Sequence, residues 1–350
     1  MECKEILKNL CQVHSPSGRE EWIYNIIKSN FQCFGEVSKD NLNNIYIHKK
    51  ANNKGNNKGK LMIMAHADEV FLMITEFHEN GFLKFKSQGI DAKALVSQEV
   101  LIHGRKPING VIGIKPPHLI EINESEKSIS IDDLLIDTGY SIEELKEIVN
   151  VGDYATLKRS FYELLNNNVV CKAIDDRAGI AALYECAKEI KNIKNNMDIY
   201  FVCSCQEEVG HRGAKVASYN INPDIGIAID VTFDSGKLGD TNRENVLAGG
   251  PIICIGPNIH AKLREKIMEI ANEYNIPYGV EVEPGNTGTD AWDIQISRDG
   301  IPTLLISIPI KYMHTSVEMV NIEDIKNTGR LLAKFIEKLN DIELEDILCF

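Results

Sequence analysis

From about residue 164 onward, near-continuous apolar runs alternate with amphipathic stretches. "DIYFVCSC", "DIGIAIDVT" and "IPTLLISIP" hold few polar positions and read as strands buried on both faces. "DDRAGIAALYECAKEIK", "IHAKLREKIMEIANEY" and "NIEDIKNTGRLLAKFIEKLND" read as helices, the last capped by Asn321. Nearer the start, "NNIYIHKK" and "KLMIMA" read as strands around the polar loop "NNKGNNKGK", and the second fits the same sheet. Residues 1–34 read as a helical region interrupted by the loop signal "SPSG".

Between about residues 70 and 163 the pattern changes. "FLMITEFHENGFLKFKS" alternates around an Asn-Gly turn, as a hairpin does. "VLIHGRKPINGVIGIKPPHLI" and "VNVGDYATLKRSF" offer short strands punctuated by Gly and Pro. "YSIEELKEIVN" reads as a short helix with Ser141 and Glu144 forming a capping box. The layout expected is an α/β domain, residues 1–69 and 164–350, carrying a β-rich insertion at 70–163.

Composition narrows the class. Of 350 residues, 43% are hydrophobic and 25% charged, as in an ordinary globular protein. The net charge of −13 argues against nucleic acid or an anionic membrane as the main partner. No apolar run approaches the roughly 20 residues of a membrane span. The opening "MECKEILKNLCQVHSPSG" has no long apolar stretch, and the nine cysteines are irregularly spaced. A reduced, cytoplasmic setting with free thiols is expected. Cys203 and Cys205 fall within a strand pattern and read as small core residues.

Chemistry gathers where the apolar strands end. "LMIMA" is followed by His66, Asp68 and Glu69, and "IYFVCSC" by Glu207 and Glu208. "IGIAI" ends at Asp230, and "LLISIPIKYM" is followed by His314. Asp175 and Asp176 stand before "RAGIAALYE". In open α/β sheets, ligands and catalytic groups gather beyond the carboxyl ends of the strands. Imidazole and carboxylate without thiolate suit zinc, cobalt or manganese in an open catalytic site. Two histidines and several carboxylates suffice for two ions sharing a bridging carboxylate. Asp68, two residues after His66, is placed to accept the imidazole's other N–H. The paired glutamates could divide two tasks, since neighbours on a strand face opposite ways. One carboxylate would turn to metal and the other to water, as a base.

These segments carry a resemblance. "HADE", "AIDDRAG", "QEEVGHRGA", "GIAIDVTF", "GTDAWDIQISRDGIPTLLISIP" and "KYMHTSVE" resemble, in order and spacing, the tetrahedral di-metal aminopeptidases. That family includes glutamyl and leucyl aminopeptidases and members labelled endoglucanases. The resemblance covers essentially the whole chain. It implies a phosphorylase/hydrolase-like α/β fold, a mixed sheet flanked by helices, with an inserted small β-barrel-like dimerisation domain. It further implies that His66 and Asp230 bind one divalent ion, Glu208 and His314 the other, and that Asp175 bridges them. Glu207 would be the general base and Asp68 the partner of His66. Asp176 matches a position where the family tends to have a cis-like peptide. Zinc is the first choice of metal, with cobalt or manganese as alternatives. The implied partners are short peptides and other copies of the chain, in dimers and a tetrahedral dodecamer.

Some positions depart from the family. His211 stands where leucine is usual and reads as a structural or supporting residue. Lys311 replaces arginine, keeping the charge but losing the bidentate fork. His78, His103 and His118 read as surface or interface residues of the insertion, and His14, His48 and His260 as residues without chemistry. Gly288, Thr289 and Asp290 read equally as a tight turn or a substrate contact, and Trp292 as packing.

The expected reaction is removal of N-terminal residues from short peptides by a metal-activated water, with Glu207 as base. Glycoside hydrolysis by a carboxylate pair is a second reading, which the two strand-end histidines oppose. A metal-stabilised scaffold is a third, for which a general base has no use.

Overall fold

A computed structural model describes residues 1–52, 59–115, 128–236, 245–341 and 343–348. His118 and most of the "NNKGNNKGK" loop lie outside these residues. The strands before the insertion are β1 (Glu36–Lys39), β2 (Ile45–Lys49) and β3 (Lys60–His66). Six more follow: β4 (Phe71–Phe77), β5 (Leu83–Gln88), β6 (Glu99–His103), β7 (Pro107–Ile114), β8 (Leu134–Asp137) and β9 (Tyr154–Leu157). Next come β10 (Tyr162–Glu163), β11 (Asn168–Cys171), β12 (Asp198–Ser204) and β13 (Ile225–Phe233). The last four are β14 (Ile252–Ile255), β15 (Gly279–Val282), β16 (Thr303–Lys311) and β17 (Glu318–Asn321).

Strands β4 to β9 close on themselves as a barrel in the order β4-β5-β8-β7-β6-β9. The others form one mixed sheet, β1-β2-β12-β3-β13-β16-β17-β11-β10, with β14 beside β16 and β15 beside β14. At its centre β12, β3, β13 and β16 run parallel. Such strands are covered on both faces, which is why they read as unbroken apolar runs.

The helices flank this sheet. They are α1 (Cys3–Cys11), α2 (Tyr24–Phe31), α3 (Ala92–Leu95), α4 (Ile142–Ile148), α5 (Ile174–Glu189), α6 (Arg212–Ile221), α7 (Ala261–Glu273), α8 (Asp290–Gln295), α9 (Ile322–Leu339) and α10 (Leu344–Leu348). Helix α5 lies on β3 and β13 and packs against α1 and α9, while α6 and α8 pack together against β3. Both expected caps form. The Asn321 side chain accepts from the Glu323 N–H, and Ser141 and Glu144 make a reciprocal capping box. The hairpin turns at Asn80 and Gly81, both at positive φ.

Parallel register decides where the chemistry lies. Ser204 pairs with His66, and Asp230 with Ser307. Ala228 pairs with Met64, so Asp230 stands level with His66. The ends of β3 and β12 therefore share one row with Asp230 of β13 and Ser307 of β16. Strand β13 does not stop at Asp230, because Val231, Thr232 and Phe233 go on pairing with β16.

Candidate metal centre

The sheet edge brings the sequence-predicted side chains together in three overlapping groups, one of His66, Glu207 and Glu208 and two that share Asp175. Donor atoms of His66, Asp175 and Asp230 lie within 4.8 Å of one another, as do those of Asp175, Glu208 and His314. Asp175 belongs to both. Its Oδ1 lies 2.9 Å from His66 Nε2 and its Oδ2 lies 3.1 Å from His314 Nε2. The Asp175–Asp176 peptide is cis, and Ala173 ahead of it has φ +54°. Asp176 turns away: its carboxylate accepts from the backbone N–H groups of His66 and Gly179.

Each imidazole offers Nε2 to the cluster because its Nδ1 is engaged elsewhere. His314 Nδ1 lies 2.8 Å from the carbonyl of Gly89, contributed by the barrel. His66 Nδ1 lies 3.2 Å from the Asp68 carbonyl and 3.7 Å from the Asp68 carboxylate. The backbone oxygen thus makes the tighter contact. Such outer partners fix a ligand's tautomer and orientation. The Asp68 carboxylate has further work. It accepts from Ser17 Oγ at 2.6 Å and from the backbone N–H groups of Glu207 and Glu208 at 3.0 and 3.2 Å.

That last contact corrects the expectation of strand alternation. Strand β12 ends at Ser204, and Gln206 sits at φ +55°, so the glutamates lie in the loop beyond it. Their directions are set by Asp68 and by the turn, not by a pleat. Gln88 of the barrel donates to the Glu208 carbonyl at 2.8 Å and braces the same loop. Glu207 Oε2 lies 4.0 Å from His66 Nε2, at the margin of the cluster.

The donor set suits cations. Four carboxylates and two imidazoles converge there, their side chains all buried except that of the half-buried His314. Burial would raise the Asp175 carboxyl, but hydrogen bonds from His314 and His66 hold it below the ordinary range. The imidazoles are lifted in return: burial opposes it, yet Asp175 raises His66 well above its usual value and His314 to about 10. Glu208 stays pushed up by burial and then by the charge on Asp175. Asp230 is raised by burial and then by Glu207. Two imidazoles therefore do not balance this many buried carboxylates. A pair of divalent ions held by the two groups that share Asp175 would.

The cluster floors a cleft of about 320 Å³. Its walls include Val231, Phe233, Glu281, Leu305, Met313 and the Thr287–Thr289 turn. Gly288 and Thr289 line it, while Asp290 is buried and accepts from Ser204 Oγ at 2.5 Å.

Sequence reasoning missed one organiser. Glu318 is buried, and its two oxygens accept from the backbone N–H groups of Ile174, Asp175 and His314 at 2.7, 3.1 and 2.7 Å. It ties both ends of the second group together. Its only signal was its place in "KYMHTSVE". His14, His48, His103 and His260 keep out of the cluster but are not idle. His14 and His103 both bond Thr156 Oγ1, at 2.6 and 2.8 Å, joining the N-terminal segment to the barrel. His48 stacks on Tyr200, and the His260 ring accepts from Leu263 N as the cap of α7. Lys311 lies 3.7 Å from Asp234.

The sequence profile of the M42 glutamyl aminopeptidases matches residues 43–331. The chain belongs to this family. It is 34% identical to a lysyl aminopeptidase of Pyrococcus furiosus, over 97% of this chain and 98% of that one. Among solved structures, an aminopeptidase of Desulfurococcus kamchatkensis superposes with a TM-score of 0.91 at 34% identity, covering 99% of this chain and 98% of the other. The TET1 peptidase of Pyrococcus horikoshii gives a TM-score of 0.82 at 30% identity, covering 96% and 99%. That protein is described as assembling into a tetrahedron or a large octahedral shell. This chain is thus an M42 aminopeptidase, a hydrolase of peptide bonds. The barrel and the mixed sheet are parts of that fold.

Proposed function

We propose that this aminopeptidase works with two divalent ions, one held by His66, Asp175 and Asp230 and the other by Asp175, Glu208 and His314. The observation that carries the reading is the pair of three-residue groups sharing Asp175 on the floor of one cleft. When bound, such ions acidify water and polarise a carbonyl oxygen. Zinc fits imidazole and carboxylate donors, and so do cobalt and manganese.

Glu207 is the general base. It is buried beside both groups without belonging to the two that share Asp175. Its carboxylate takes the proton of the attacking water and returns it to the leaving amine. Asp68 holds the loop that carries Glu207, and Glu318 holds the backbone of Asp175 and His314. The cleft accepts a terminal residue, and the Thr287–Thr289 turn forms part of its wall.

Substrates are short peptides. By analogy with the assembly described for the TET1 peptidase, copies of this chain pair through the inserted barrel domain, residues 70–163, and build a tetrahedral dodecamer. An inner chamber would admit short chains in preference to folded ones. Eight described cysteines are free and most are buried, which fits a reducing, cytoplasmic setting. No helix among the described residues is long and apolar enough to cross a membrane.

A panel of aminoacyl-p-nitroanilides tests the reading, run on metal-free protein and after adding each divalent ion. Turnover that appears with metal and vanishes with a chelator is expected. Chelator-resistant turnover, or hydrolysis of a β-glucan with none of the anilides, would overturn it.

A further inference from the structure

His211 is the part of "QEEVGHRGA" that the metal groups do not absorb. It caps α6 in a left-handed conformation, φ +51°, directly after Gly210 at φ +110°. The tight turn 207–211 is closed by the N–H groups of Gly210 and His211, both donating to the Glu207 carbonyl at 2.9 and 3.0 Å. This folds the imidazole back over the residue four positions earlier. His211 Nε2 then lies 3.2 Å from Glu207 Oε1. Nδ1 lies 3.0 Å from Asp293 Oδ2, on α8. Lys215 reaches the other Asp293 oxygen at 3.4 Å. Asp293 is 5% exposed and Glu207 8%.

The two oxygens of Glu207 are therefore treated differently. Oε1 is held by His211, and Oε2 faces His66 and the cluster. A glutamate side chain has three rotatable bonds, and a base must present one lone pair to the proton it takes. A donor fixed on a buried carboxylate removes that freedom. We propose that His211 is a positioning residue for the base: anchored on Asp293, it clamps Glu207 Oε1 and so aims Oε2 at the metal centre.

The groups facing the ring agree with this role. Glu207, Asp290 and Asp293 are all acidic, and they hold the imidazole charged, so that both nitrogens donate. The alternative is a staple that merely fixes α8 against α6. That role needs the Asp293 contact alone. The proposal needs the Glu207 contact, and this difference makes the two separable.

The inference rests on Glu207 being the base, so Glu207→Gln is included. Wild-type enzyme is compared with H211Q, H211N and H211L at equal metal loading, measuring kcat, KM, bound metal and melting temperature. The glutamine amide can replace the donor to Glu207, while the asparagine amide replaces only the donor to Asp293. Expected are kcat losses of about tenfold or more in H211N and H211L, with KM within about twofold and metal retained. H211Q should recover to within about threefold of wild type. Introduced into E207Q, H211L should lower the residual kcat less than about twofold, since its effect passes through Glu207. The proposal falls if H211N works as well as H211Q, if H211L leaves kcat untouched, or if H211L costs the same factor in both backgrounds. A fully active E207Q would instead remove the proposed base itself.

Discussion

Strand β7 of the barrel exposes Pro107, Asn109 and Val111 and buries Ile108, Gly110 and Ile112 between them. Strand β13 of the large sheet buries eight of its nine residues, so polar groups on it have no solvent side to turn to. The barrel interior is accordingly apolar, and Thr156 is the only buried polar residue described on its strands. The sheet edge does the opposite. It gathers His66, Asp68, Asp175, Asp176 and Asp230 where burial works against charge. Charge buried at that expense marks function, and a clean apolar interior marks architecture. The two regions still meet, because the barrel supplies the Gly89 carbonyl to His314 and the Gln88 amide to the Glu208 loop.

Removing the shared ligand should break the contrast most severely. Asp175→Ala is expected to lose bound metal at both groups and to fall to background turnover, by metal analysis and anilide assay. If instead one full equivalent of metal and measurable turnover remain, the shared role of Asp175 is wrong.

The next largest effect concerns a buried pair beside the site. Lys172 Nζ lies 2.6 Å from Glu69 Oε2, each side chain 2% exposed. Lys172→Met leaves that carboxylate unpaired and should destabilise by about 3–5 kcal/mol in denaturant unfolding. Burial would raise Glu69, but Lys172 and Arg177 hold it below its ordinary value. A depressed carboxyl contributes stability above its unfolded pKa and loses it as pH falls through the folded one. Wild-type stability from this pair should therefore be intact at neutral pH and fade only in acid. In the variant that acid-dependent loss should shrink.

Ile102 of β6 is fully buried in the barrel core. Ile102→Ala should destabilise by about 2–5 kcal/mol, yet leave kcat of the folded fraction within about twofold. A large fall in kcat without unfolding would show that the barrel shapes the chemistry more than two contacts allow. Gln88→Ala is the smallest. One hydrogen bond of about 0.5–1.5 kcal/mol is lost, so kcat/KM should drop a few-fold.

The contrast also explains what the chain revealed of itself. Fully buried parallel strands show as apolar runs, and acids or imidazoles directly after them are conspicuous, so His66, Asp230 and His314 could be picked out. The hairpin at Asn80 and Gly81 and both capping residues are local signals and were legible for that reason. Partners distant in sequence were not. Barrel closure pairs β4 with β9, and Thr156 collects His14 and His103 from separate segments. Strands β14, β15 and β17 are four residues each, too short to show a period. Glu318 acts through backbone N–H groups, which no side-chain pattern advertises. Asp293 meets His211 across 82 positions. The glutamate pair stands out in the sequence, but strand alternation does not account for it, since β12 ends at Ser204 and Gln206 takes a positive φ.

The division of labour between Glu207 and its neighbours is the centre of this account, and Glu207→Gln tests it most directly. Metal content and anilide turnover should be measured on the same preparation. Two ions per subunit, with turnover reduced by roughly 10²–10⁴-fold, is the expected result. A variant that turns over within a few-fold of wild type, or that loses its metal along with its activity, would contradict it.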